Sequence, residues 1–160
     1  MTLLSYEFMQ IALLAAVITG LTAPAIGTYI VQRRLALLGD GLGHVALTGV
    51  ALGILTGTSP LVAAVLVAIA GAIGIELLRT YAKASADVAL AMLFYGGIAG
   101  GVFLINLSGN SAATLNRYLF GSITTMSRGD VFLVVVLGAI VLLASIWLAP
   151  QFFALSHDEE

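Results

Sequence analysis

Apolar residues run along this chain in five long stretches, and ionisable side chains fall mostly in the gaps between them. The stretches are 8–31, 35–55, 61–78, 88–107 and 131–149. About 20 helical residues cross the hydrocarbon layer of a bilayer. None of the stretches alternates as a half-buried strand would. The pattern predicts an all-α, polytopic transmembrane bundle of five spans. Pro24 lies inside the first span and is expected to kink it. The second is uninterrupted only from Val45 onward.

Between the fourth and fifth spans lies a more polar segment, Ser108 to Asp130. Its centre, "ATLNRYLFGSITTMS", places Leu115, Tyr118, Leu119, Ile123 and Met126 on one helical stripe. The stripe predicts a short amphipathic helix at the outer interface. A connector that hides its apolar side is preferred over a docking site or a gate. Gly49, Gly53 and Gly57 recur every four residues, and Gly96, Gly97, Gly100 and Gly101 cluster in the fourth span. Such spacing lets backbones approach closely. Packing within one bundle is preferred over a glycine-lined pore.

Composition reinforces the membrane reading. Hydrophobic residues make up 61% of the 160 and charged ones 9%, where a soluble domain carries about a quarter charged. Mean hydropathy is +1.12. With no cysteine, disulfides, iron–sulfur clusters and thiolate-bound metals are excluded. The net charge is −2 and the six basic residues form no face for nucleic acid. The opening "MTLLSYEFMQ" lacks a basic region, so no removable signal peptide is expected. Arg33, Arg34, Arg79 and Lys83 follow the first and third spans, which makes that side cytoplasmic under the positive-inside rule. The N-terminus is then expected outside and the terminal "SHDEE" inside. Arg117 and Arg128 fall on the outer side.

The chemistry concentrates in "RRLALLGDGLGHVALTGVALGIL", residues 33–55. Asp40 and His44 are four apart, so a helix puts them on one face, one turn from each other. A lone carboxylate in hydrocarbon costs roughly 2.5–3.5 kcal/mol and persists where it pairs, titrates or lines a watery path. Carboxylate and imidazole at this spacing suit a divalent metal such as zinc, iron or manganese. Two plainer readings stand beside that one. Asp40 caps the second helix, or His44 merely hydrogen-bonds Asp40 or a neighbouring helix. Glu76, in "GAIGIELLRT", either pairs with Arg79 or reaches the Asp40–His44 level from the third span. Asp87 is expected to complement the positive end of the fourth helix dipole.

Several chemistries are excluded. There is no P-loop pattern and no HExxH. "LLGDGLG" is only superficially similar to the G-x-G-D of aspartyl intramembrane proteases, because position 37 is Leu and no second aspartate lies deep in another span.

Beyond these residues the chain resembles a family. "FMQIALLAAVITGLTAPAIGTYIVQRRLALLGDGLGHVALTGVALGILTG", "IELLR", "ADVALAMLFYGGIAGGV" and "YLFGSI" are similar to segments of bacterial zinc/manganese/iron ABC transporter permeases. The resemblance runs from about Phe8 to the end. It implies a membrane subunit that does no chemistry itself and holds no tight cofactor. Two permease copies would flank a translocation path, with cytoplasmic ATP-binding subunits driving it and an external metal-binding protein delivering the ion. It also implies a bacterial inner-membrane location. Asp40 and His44 match the family's aspartate–histidine pair, which contacts the transported metal, and Glu76 matches its glutamate in the third span.

Family members are longer, and their ATPase-coupling segment follows a "DEE" like the one at 158–160. Residues 1–160 are thus expected to form a partial permease domain that does not couple to ATP hydrolysis alone. Imidazole ligates only when neutral, so transport is expected to fall below about pH 6. The alternative is a structural membrane protein in which Asp40, His44 and Glu76 form a buried polar network.

Overall fold

The computed structural model describes residues 6–32, 37–81, 85–120 and 127–157. Arg33, Arg34, Lys83, Ile123 and Met126 lie outside them, as do the side chains of Asp87 and Leu119. All regular structure among the described residues is helical: α1 (Glu7–Gln32), α2 (Leu38–Thr56), α3 (Pro60–Tyr81), α4 (Ala86–Leu107), α5 (Ala112–Phe120) and α6 (Arg128–His157). Five of these, all but α5, are long and apolar enough to cross a membrane. The chain divides into two compact units, one of α1 and α6 and one of α2 to α5.

In the first unit α1 packs along α6. Helix α6 starts where it does because Ser127 and Asp130 cap it reciprocally. The Asp130 carboxylate accepts from the Ser127 amide at 3.0 Å, and the Ser127 hydroxyl accepts from the Asp130 amide at 3.1 Å. Arg128 Nε donates to Glu7 Oε1 at 2.7 Å, tying together the first turns of the two helices. A groove of about 320 Å³ between them is walled by aliphatic residues and the threonines Thr19 and Thr22. Both hydroxyls donate to their own helix, to the carbonyls of Ala15 and Ile18. Such back-bonding satisfies the hydroxyl where no water is at hand. Pro24 lies inside α1 and Pro150 inside α6.

The second unit is built on α2, which packs against both α3 and α4. Its core is small: Val50, Ala51, Ala64, Ile105 and Leu115. Large side chains such as Leu66, Ile73 and Phe103 are exposed instead. In lipid that arrangement costs nothing, since acyl chains are as apolar as leucine, so close packing rather than burial holds the helices together. Gly49 shows why the glycine spacing matters. A Cβ there would stand 2.5 Å from the Ala64 Cα, so any larger residue would push α3 away. Gly53 meets Pro60 in the same way, whereas Gly57 ends α2 in a left-handed conformation (φ 67°). Two glycines of that series thus serve packing and the third serves the turn.

Helix α5 is amphipathic, and its apolar side is turned onto the bundle. Leu115 is 5% exposed and sits in the core with residues of α2, α3 and α4, while Tyr118 is exposed. The chain reverses after α4 at Gly109 (φ 72°), and α5 then runs back along α2 and α4.

Candidate metal-binding site

Asp40 lies in the first turn of α2. The residue flanking the helix start is Leu37, and no side chain caps it. The carboxylate therefore complements the helix dipole without capping the end. One turn on, His44 Nε2 stands 3.8 Å from Asp40 Oδ1. That is too far for a hydrogen bond. It is close to what two ligands of one ion need. With ligand distances of about 2.1 Å and angles of 90–110°, the two atoms would be about 3.0–3.4 Å apart, a closure that side-chain rotation supplies.

The imidazole packs against α4, and so does the backbone that carries it. Its ring packs edge-on to Phe94 of α4, with centroids 4.4 Å apart and planes at 69°. Behind it α4 comes close, because a Cβ on Gly97 would stand 2.7 Å from the His44 carbonyl carbon. Next to that contact Thr48 Oγ1 donates to the Gly97 carbonyl at 2.7 Å, one hydrogen bond linking the two helices. Gly100 and Gly101 lie against Thr48 and Leu47, so this face of α4 fits α2 over about one turn. The His44 side chain is 20% exposed and its Nδ1 is buried without a hydrogen-bond partner among the described residues. A buried, unpaired ring nitrogen is costly.

Asp40 is more open, at 64% exposed. It lines a cleft of about 380 Å³ with Leu37, Gly41, Leu90, Ala91, Phe94 and Tyr95. Among the described residues the walls are apolar apart from Asp40 and the Tyr95 phenol, and the Asp40 carboxylate is the one formal charge that lines the cleft. Such a site favours a cation over a neutral ligand.

Glu76 is placed differently. Its carboxylate is 3.6 Å from Arg79 Nη1, one turn along α3, and both side chains are partly or largely exposed. Among the described residues no three His, Asp or Glu side chains come together as a metal cluster. The structure thus brings Asp40 and His44 together and gives Glu76 an ion-pair partner. Phe94, Gly97 and Thr48 complete the surroundings of His44. Nothing in the sequence marked Phe94 or Thr48, because each acts across a contact between helices distant along the chain. The one visible signal was the glycine cluster itself.

The fold and the site define a multi-pass helical membrane protein with a polar pair in an otherwise apolar bundle. The family model for the ABC 3 transport family matches residues 5–160, and the chain belongs to that family. It is 33% identical over 141 residues to the manganese transport system membrane protein MntC of Halalkalibacterium halodurans, a match covering 88% of this chain and 48% of that protein. The high-affinity zinc uptake system membrane protein ZnuB of Haemophilus influenzae is 30% identical over 141 residues, covering 88% of this chain and 54% of the relative. Among solved structures, a chain of PsaBC from Streptococcus pneumoniae in complex with Fab superposes with a TM-score of 0.78 at 30% identity. That match covers 98% of this chain and 56% of the other. The chain spans about half the length of the curated relatives it matches.

Proposed function

We propose that the chain forms part of the membrane-spanning permease of an ATP-driven importer of divalent metal, with manganese or zinc as cargo and iron as a third candidate. Residues 1–160 make up a portion of that permease domain. Family membership supports the transporter class, and the names of the relatives support the choice of metals. The observation that carries the site is the Asp40–His44 pair, one anionic oxygen and one imidazole nitrogen 3.8 Å apart on a single helix face.

Chemically, the pair replaces part of the ion's water shell. Asp40 supplies the charge that draws the cation in. His44 supplies a nitrogen donor whose ring packs on Phe94. Two protein ligands bind weakly enough for release, which conduction requires. In this reading a separate cytoplasmic ATP-binding subunit drives transport, an external metal-binding protein delivers the ion, and two permease copies form the path in the bacterial inner membrane.

The test is uptake of radioactive manganese or zinc by the assembled transporter carrying Asp40→Asn or His44→Gln. Both substitutions keep size and polarity. Uptake reduced by an order of magnitude or more with normal membrane abundance supports the reading. Wild-type uptake in both variants overturns it.

A further inference from the structure

His44 shares a cleft with a polar side chain that its own helix does not provide. It lines a separate cleft of about 270 Å³ in the α2–α5 unit. Leu47 of α2, Ile98 and Val102 of α4 and Leu115 of α5 make apolar walls, and among the described residues Asn116 is the other polar side chain in the lining. Its presence follows from how α5 packs. Leu115 is anchored in the core beside Val50 and Ala51, six and seven residues along α2 from His44, and the next residue turns toward the cleft. Helix α5 therefore brings an amide to the wall of the cleft that His44 also lines.

Asn116 is exposed, so its carboxamide is open on this cleft to water or a ligand. An apolar pocket with a few convergent polar groups is the usual form of a binding site. A carboxamide oxygen is a neutral, hard donor of the kind that suits manganese, whereas imidazole suits zinc equally well.

Building on the proposed transport role, we infer that Asn116 is a further cargo-contacting residue. Its carboxamide meets the cation beside His44, directly or through a water it holds, and biases the path toward the harder ion. His44 then stands between two oxygen donors, Asp40 on its own helix and Asn116 on α5.

The experiment measures uptake of manganese and of zinc, separately and in competition, by the assembled transporter carrying Asn116→Ala or Asn116→His, with His44→Gln alongside. The expected result is a several-fold higher KM for manganese in Asn116→Ala with kcat little changed, and a several-fold shift toward zinc in Asn116→His. Thermal melting of the purified permease should stay at the wild-type value in both. If either variant melts early, Asn116→Gln and Asn116→Asp decide. A changed manganese-to-zinc preference at normal melting supports the inference, and an unchanged one overturns it. Wild-type KM and preference in every Asn116 variant, with His44→Gln inactive, would overturn this inference and leave the transport reading standing. Normal uptake by His44→Gln would overturn both.

Discussion

Gly97 of α4 meets His44 of α2 backbone to backbone, with room at that point for a hydrogen and nothing larger. The contact fixes how closely α4 packs on the stretch of α2 backbone that carries the imidazole. Gly97→Ala would put a methyl group 2.7 Å from main-chain atoms, which cannot yield as a flexible side chain would. Overpacking of this kind costs about 1–3 kcal/mol. The expected outcome is a lowered melting temperature of the permease together with reduced uptake. Gly96→Ala is the control, since a Cβ there meets nothing within 4 Å.

The Thr48 hydrogen bond to the Gly97 carbonyl crosses between the same two helices. Interhelical hydrogen bonds in membranes are worth about 0.6 kcal/mol on average and rarely more than about 1.7. Thr48→Val keeps the shape and removes the donor. It should lower the melting temperature by less than Gly97→Ala does, with uptake largely retained.

Phe94 presses its ring edge-on to His44. Aromatic pairs of this geometry contribute about 0.5–1.5 kcal/mol beyond area burial. Phe94→Leu fills similar space without the ring. Uptake is expected to fall roughly 2–10-fold, the same energy expressed as a rate or affinity ratio. An unchanged uptake curve would show that the ring does not position the imidazole.

The two exposed ion pairs should matter little. Glu7–Arg128 and Glu76–Arg79 both involve exposed side chains, and exposed pairs contribute about 0–1 kcal/mol. Glu7→Gln and Glu76→Gln are each expected to leave melting and uptake close to wild type. A large loss of uptake in Glu76→Gln alone would place that carboxylate in the metal path after all.

Much of the architecture was legible in the hydropathy pattern, because a bilayer demands long apolar helices and this chain has five of them. The helix ends were less legible. The last span reads as 131–149 by hydropathy, yet α6 runs from Arg128 to His157. The Ser127–Asp130 cap starts the helix among polar residues, and Pro150 does not stop it. The Asp40–His44 pairing was readable because both residues lie on one helix, where spacing fixes geometry. The contributions of Phe94, Gly97 and Asn116 were not, since they depend on which faces of α4 and α5 meet α2. For the glycines the pattern gave the tendency to pack, and only the fold separates Gly53, against α3, from Gly57, in the turn.

The most direct measurement is the position of a bound ion. Crystals or frozen samples of the assembled transporter soaked with zinc would be measured on both sides of the zinc absorption edge. The account predicts an anomalous peak about 2.0–2.2 Å from a carboxylate oxygen of Asp40 and from Nε2 of His44, lost in His44→Gln. A fully occupied zinc site within the membrane span that touches neither residue would contradict it.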